Sequence, residues 1–404
     1  MIKSILRSWI FINHYTKQPQ LHRVITMSTP SEKFLLKDHL FNKQKVAFLA
    51  ERIYNVHPQF NVQQFKHDVL AEFPQLELKQ RITHISTCLQ KHLPDSYPTA
   101  VHIICNALPE PLDESLTDND FGDFIYAPFG EFVARYGCTS THLTISLQAL
   151  KEITKRFSTE FAIRFFINAF PQETMAELSN WCNDSNYHVR RLCSEGTRPS
   201  LPWAQKVTLD TKTTLPILTT LFADSTRYVT RSVANHLNDI SKTEPQVVLD
   251  TLSAWKNSGK QQPEEMDFII KHALRTLVKQ GNPEALRLLG FGNSNHIQLH
   301  NVQHSTTVLV GNALEFSFEI TSKQEKSAIV DYILTFTNKQ GITANKKVFK
   351  LKTLSLQKNT PVVVTKRHPL RANMTTRQLY PGTHTVDIQV NGTVLHTFSF
   401  ELVM

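Results

Sequence analysis

The segment Trp181–Trp203, W-C-N-D-S-N-Y-H-V-R-R-L-C-S-E-G-T-R-P-S-L-P-W, concentrates chemically active side chains. Arg190, Arg191 and Arg198 sit beside the carboxylate Glu195, with an indole at each end. Guanidinium groups, a carboxylate and an indole around one helix end can grip phosphates and stabilise a cation. Gly196, Pro199 and Pro202 stop the helix at that point. Glu195 then faces the negative end of the helix dipole, unfavourable by ~0.3–1 kcal/mol. Arg191, one turn back, and Arg198 are the groups able to offset this. Spacing alone equally allows a structural salt bridge between residues i and i+4.

Two further carboxylates stand out. Glu160 follows Ser158 and Thr159 and precedes Phe161-Ala162-Ile163-Arg164. Ser158 can cap the helix, and Glu160 in its first turn suits the dipole and can pair with Arg164; these residues by themselves favour a structural role. The helix Arg231–Lys242 buries Val233, Ala234, Leu237 and Ile240, while Arg231, Asn235, Asn238, Asp239 and Lys242 form its polar side. Asparagine and aspartate lower helix propensity, so a specific contact explains them better than a solvated face. Trp203, behind Pro202, can stack on a sugar or base, or serve as core; Trp181 falls at a core position. Arg190, Arg227 and Lys206 are candidates for phosphate contact, and each taken singly also reads as a solvated surface charge.

Helices must position these groups. From Lys33 to about Gly290 apolar residues recur at three and four spacings, as in Val46, Leu49, Ile53 and Phe65, Val69, Phe73. Breaks are expected at Pro58, Pro94, Pro98, Pro109, Pro171, Pro216, Pro245, Pro263 and Pro283. Asp184-Ser-Asn-Tyr-His-Val189-Arg-Arg191 matches Asp224-Ser-Thr-Arg-Tyr-Val229-Thr-Arg231, a period of about 40 residues as in HEAT-like helix pairs. In this reading Asp caps the second helix, Val enters the core, and Arg faces out of the concave side. His272-Ala-Leu-Arg275-Thr-Leu is a weaker third copy.

Beyond Phe291 the period changes to two. Strands are expected at Leu314–Ile320, Ile329–Phe336, Val348–Leu356, Val362–Lys366, Thr385–Val390 and Val394–Leu402, with a hairpin at Asn391-Gly392. Six or seven strands indicate an immunoglobulin-like sandwich without its disulfide. The expected architecture is mainly α: a HEAT-like (ARM-type) α-α superhelix over 33–290, then a small all-β sandwich over 297–404. The sandwich carries Lys346, Lys347, Lys350, Lys352, Lys366, Arg367, Arg371 and Arg377.

The chain has 404 residues and a formal charge of +9, which favours a polyanionic partner. No apolar run is long enough to span a bilayer, and no long basic amphipathic helix suggests a membrane surface. Cys88, Cys105, Cys138, Cys182 and Cys193 form no C-x-x-C pair, which argues for reduced thiols in the cytoplasm and against a thiolate metal site. The scattered histidines make no ligand set, and no P-loop or dinucleotide fingerprint is present, so neither metal nor cofactor is expected. Residues 1–32 read as an extension; their first 26 carry Lys3, Arg7, Lys17 and Arg23 without an acid, and Met27 is the better start.

Four segments carry a family resemblance: F-G-E-F-V-A-R-Y-G (129–137), R-F-S-T-E-F-A-I-R (156–164), H-V-R-R-L-C-S-E-G-T-R-P-S-L-P-W (188–203) and Y-V-T-R-S-V-A-N-H-L-N-D-I (228–240). Across roughly 33–290 the chain resembles bacterial DNA alkylation-repair glycosylases of the AlkC type, on the HEAT-like fold shared with AlkD. Some members carry an added immunoglobulin-like domain. Phe165 stands where the family tends to proline and Cys193 where it tends to alanine; both read as packing changes. The resemblance implies hydrolysis of the glycosidic bond of N-alkylated, cationic bases such as 3-methyladenine and 3-methylcytosine, in the nucleoid of a bacterium and by a monomer. Glu160, Glu195 and Asp239 would be catalytic, Trp203 would contact the lesion, and double-stranded DNA would meet Arg190, Arg191, Arg198, Arg227, Arg231, Asn235, Asn238 and Lys242. The alternative is a HEAT-like scaffold that binds DNA or protein without chemistry.

Overall fold

The computed structural model describes residues 35–113, 115, 121–372 and 378–404. The extension over 1–32 and Arg377 lie outside the described residues. The described chain divides into two compact units, one of residues 35–239 and 260–265, the other of 240–259 and 266–404. The expected boundary near 290 marks the change from helix to strand. The compact division falls earlier, because the last helices pack with the sheet.

The first unit is helical. It contains α1 (Leu36–Leu40), α2 (Lys43–Val56), α3 (Val62–Glu72), α4 (Leu78–His92), α5 (Tyr97–Asn106), α6 (Ala127–Gly137), α7 (Leu143–Thr154) and α8 (Ile163–Ala169). The repeat region follows as α9 (Pro171–Trp181), α10 (Tyr187–Glu195), α11 (Thr211–Leu221) and α12 (Arg227–Ile240). Short polar side chains start several of these helices. Asn42, Asn61, Asn186 and Asp210 each accept a hydrogen bond from a backbone N–H of the first turn. Pro98, Pro128 and Pro171 sit in the first helical turn, where their missing N–H costs nothing. Pro216 is different: it lies inside α11 and does not break it. The carbonyl it leaves without an intrahelical donor belongs to Lys212, which is exposed, so water can serve it.

The 40-residue repeat is real but its cap differs from expectation. Asn186, not Asp184, caps α10. Asp184 accepts from the Asn186 N–H at 2.9 Å and pairs with Lys151 at 2.7 Å. Asp224 likewise accepts from the Thr226 N–H at 2.8 Å. Val189 and Val229 are fully buried, as the repeat requires. The weaker third copy straddles a helix end: α14 (Pro263–Ala273) stops within it and α15 (Arg275–Lys279) begins, so it starts no second repeat helix.

The second unit contains α13 (Pro245–Ser258), most of α14, α15 and α16 (Pro283–Leu288), followed by eight strands. These are β1 (Ile297–His304), β2 (Thr307–Leu309), β3 (Ala313–Ser322), β4 (Lys326–Thr337), β5 (Thr343–Leu356), β6 (Val362–Pro369), β7 (Gly382–Val390) and β8 (Thr393–Val403). One sheet has the order β1-β3-β6 and the other β2-β8-β7-β4-β5. Alternate residues such as Phe316, Phe318, Tyr332, Val386, Ile388 and Phe400 fill the space between them. The sequence pattern missed β1, whose alternation is broken by a bulge between His300 and Gln303, with Asn301 at φ 52°. It also missed the three-residue β2, which pairs parallel to β8. The Asn391-Gly392 turn has φ of 46° and 80°, the positive pair a tight hairpin needs. A side chain on Gly392 would strike the Gly281 carbonyl at 2.5 Å, which ties the hairpin to the segment before α16.

Arg190 braces one repeat against the next. Its Nε donates to Asp224 at 2.6 Å, Nη1 to the carbonyls of Asp184 and Ser185, and Nη2 to Asp224 and Thr226. Those bonds occupy every N–H of the guanidinium, so the expected phosphate contact gives way to an internal clasp. Arg190→Ala is expected to lower unfolding stability by about 2–3 kcal/mol, because a nearly buried Asp224 loses its charge partner. Urea denaturation checks this; stability equal to that of the unsubstituted chain would mean that the Asp224 clasp contributes nothing to the fold.

Candidate active site

Three carboxylates from distant points of the chain meet through two guanidiniums. Glu160 lies in the turn before α8, Glu195 ends α10, and Asp239 lies in the last turn of α12. Arg191 Nη1 donates to Glu160 Oε2 at 2.9 Å, and its Nη2 lies 3.7 Å from Glu195 Oε2. Arg198 Nη1 donates to Glu195 Oε1 at 2.6 Å, and its Nη2 and Nε lie 2.8 and 2.9 Å from Asp239 Oδ2. The result is an alternating line, Glu160–Arg191–Glu195–Arg198–Asp239, with one more negative than positive charge. Spacing had suggested Arg191 or Arg198 as the counterweight to Glu195 at the helix end; both serve.

Burial makes this alternation necessary. Glu195 and Asp239 are buried, and their side chains would lose hydration without compensation. Burial tends to raise the Glu195 carboxyl, but Arg198 and Arg191, with the Ser232 hydroxyl, bring it down to about 2. Ser232 Oγ donates to Glu195 Oε2 at 2.7 Å and lies 3.0 Å from Ser194 Oγ. Burial likewise opposes the Arg191 charge, which the Tyr228 side chain and the two glutamates hold above its ordinary range. The Arg191 guanidinium lies over the rings of Tyr228 and Phe121, at 4.4 and 5.4 Å.

Glu160 is the most open of the three acids, with 14% of its side chain exposed. Its Oε2 takes bonds from Ser158 Oγ at 2.8 Å and from Arg191. Its Oε1 has no hydrogen-bond partner among the described residues. Ser158 caps no helix, since α8 starts only at Ile163; its hydroxyl serves Glu160 and accepts from Arg191 instead. Arg164 does not pair with Glu160 either. It is fully buried and donates to the carbonyls of Gly196, Arg198 and Gln205 at 2.9, 2.8 and 2.6 Å. Burial, then the neighbouring Arg198, press its pKa down to about 10. Those three bonds fix the loop that carries Arg198 and Trp203.

Trp203 sits in that loop with its side chain exposed, at 40% for the residue, and with φ 70°. A left-handed backbone at a bulky aromatic stores ~1–2 kcal/mol of strain. Lys79 Nζ holds the Trp203 carbonyl at 2.8 Å. Trp181 is core, as expected. Arg227 forms a bidentate pair with Glu265, each Nε contact at 2.8 Å. Along α12, Arg231 and Asn235 are half-buried and Asn238 is buried; Lys242 follows the helix and is exposed. Lys206 is exposed, its carbonyl bonded by Asn168. Ser232 and Tyr228 are the site residues that sequence reasoning missed, and it gave Arg164 and Ser158 other partners than the structure does. Each lies in one of the unusual segments around residues 156–164 and 228–240, but nothing in those segments shows which side chains turn inward together.

Two buried histidines flank the cluster. His236 Nδ1 lies 3.1 Å from the Ser194 carbonyl, to which it must donate, and its Nε2 is buried without a partner. Burial lowers His236 to about 4, and burial with Arg191 lowers His188 to about 3. Both folded values lie below the ordinary 6.5. Below that pH the unfolded chain takes up protons that the folded chain refuses, so stability declines from about pH 6.5 to about pH 3–4. The Glu195 contribution, present above about pH 4.5, is lost later as pH falls towards 2. Melting temperature should therefore fall between pH 6.5 and 4, and His236→Gln should flatten that fall by a term on the order of 3 kcal/mol. An unchanged slope would mean that His236 titrates normally in the fold.

Comparison with known proteins bears on the fold and the family. Residues 298–404 match the family described as the C-terminal Ig-like domain of the uncharacterised protein YhaZ. The uncharacterized protein YhaZ of Bacillus subtilis (strain 168) is 33% identical over 368 residues, covering 90% of this chain and 98% of the relative. A solved structure of the Pseudomonas fluorescens alkylpurine DNA glycosylase AlkC, bound to DNA containing an abasic site analog, superposes with a TM-score of 0.80 at 34% identity. It covers 92% of this chain and 100% of the AlkC chain. The architecture is thus the HEAT-like helical stack with an immunoglobulin-like sandwich, and the chain belongs to the AlkC family, alongside YhaZ.

Proposed function

We propose that this protein is a monofunctional DNA glycosylase that removes N-alkylated, cationic bases from double-stranded DNA, 3-methyladenine and 3-methylcytosine foremost. The observation that carries the reading is the buried line of three carboxylates and two guanidiniums in a member of this family. An alkylated ring nitrogen gives the base a positive charge and weakens its bond to C1′. When that bond breaks, its electron pair neutralises the base and the sugar becomes oxocarbenium-like. The protein needs no strong general acid; it needs fixed negative charge beside the sugar and a held water.

The chain's residues divide that work by their exposure and bonding. Glu195 and Asp239, both oriented by Arg198, supply fixed charge. Glu160 holds the water through its open Oε1; water oxygen attacks C1′ and its proton passes to the Glu160 carboxylate. Arg191 and Arg198 keep Glu195 ionised, and their positive charge limits the repulsion between the acids and DNA phosphates. Trp203 presents its indole to the lesion nucleotide. Arg231, Asn235 and Lys242 bind the strand around it; Asn238 is buried and Arg227 is held by Glu265, so neither is placed on the strand.

Purified protein incubated with methylated duplex DNA should release free methylated base, read by chromatography. Glu195→Gln should cut excision by about 100-fold or more while changing DNA affinity much less. No released base at any salt concentration would leave only a DNA-binding scaffold. Trp203→Gly should raise stability by ~1 kcal/mol through relief of the left-handed backbone, yet lower excision by roughly tenfold through lost stacking. Equal excision by that variant would remove Trp203 from the site.

A further inference from the structure

The outer face of the five-stranded sheet carries a second site. Along β4 the residues Val330, Tyr332 and Leu334 point into the sandwich core, so Ile329 and Asp331 belong to the opposite face. An aspartate there is normally solvated. Asp331 is instead only 4% exposed, because the same unit covers this face with helices. It has no hydrogen-bond or ion-pair partner among the described residues. Its register neighbour on β7, Gln389, is also buried with its amide nitrogen unpartnered, so that strand does not satisfy the carboxylate. Burial lifts the Asp331 carboxyl to about 6 against the pull of Lys350 and Lys279.

Asp331 lines a cavity of about 760 Å³ that lies wholly within this unit. The same cavity is lined by Lys271, Lys279 and Lys350, and by Phe268 and His272, stacked 5.4 Å apart at 13°. That volume fits a ligand of nucleotide size. A bare phosphate would leave the aromatic wall uncovered. A fatty-acid carboxylate would leave Asp331 unpaired. The three features together call for an aromatic anion that also offers N–H donors.

We propose that this cavity binds a guanine nucleotide, with the paired N–H donors of the base on the Asp331 carboxylate, the ring against Phe268 and His272, and the phosphate on the lysines. A carboxylate is well matched to two adjacent donors. The nucleotide is either free or one unit of a single strand. The site is remote in the chain from Glu160, Glu195 and Asp239, and it does not rest on the glycosylase reading.

Calorimetric titration of guanosine monophosphate into the full chain tests this. Saturable binding at one site is expected, weakened at least about tenfold by Asp331→Asn, which is isosteric and removes a buried charge. Adenosine monophosphate, which lacks the paired donors, should bind as weakly to the wild type. Lys279→Gln should weaken the monophosphate but not guanosine. A short guanine-containing single strand that competes more strongly than the monophosphate identifies a strand as the natural ligand; one that does not compete identifies the free nucleotide. No binding of either probe, equal affinity in a folded Asp331→Asn protein, or equal affinity for the adenine nucleotide overturns the proposal. Excision of methylated bases by Asp331→Asn should equal that of wild type, so failure here leaves the glycosylase reading standing.

Discussion

Charge that has been taken out of water must be answered by charge, and the candidate active site is organised around that requirement. Glu195 is buried at the unfavourable end of its own helix, where neither solvent nor the backbone can help it. Two arginines answer it, and each is shared with a second acid. Sharing leaves the line one negative charge in excess, which suits a partner that becomes cationic during reaction. It also fixes the side chains before any ligand arrives, because moving one member uncovers the charge of the next.

Adjacent arginines on one helix have opposite tasks here. Arg190 and Arg191 are separated by about 100° around the helix axis. One therefore turns to the next repeat and the other to the acids. Arg190 holds Asp224 and so sets the spacing of α10 against the following helix pair. Arg191 reaches the other way, back to Glu160. Arg164 performs a similar office for the exit loop by gathering three carbonyls, so the backbone that carries Arg198 and the strained Trp203 is held independently of the Arg198 ion pairs. Stability and function share these contacts.

The sheet-bearing unit shows the same physics in a different form. Its core is an ordinary alternation of aromatic and aliphatic residues, and it would be expected to leave its outer face to water. Helices from the preceding segment cover part of that face, and the contact of Gly281 with Gly392 allows the two backbones to approach closely. Asp331 then stands out of water on a face that a sheet normally leaves solvated. Its exclusion from water, not its position in the strand, gives it chemical interest.

Local information in the chain was sufficient for the helices, the 40-residue repeat, the alternating strands and the Asn391-Gly392 hairpin, because each rests on spacing or on one residue's backbone preference. It also marked Glu160, Glu195, Asp239 and Trp203, with the aid of unusual segments shared with a family. The pairing of charges was another matter. Arg164 looked like a partner for Glu160 four residues away, yet it lies with carbonyls 32 to 41 positions further on. Arg190 looked free for phosphate, and Ser158 looked like a cap. Pro216 looked like a break, and only the exposed carbonyl behind it made the helix tolerable. Periodicity fixes which face of an element is apolar. Which buried polar group meets which depends on how elements pack across long loops, and only the tertiary structure decides that.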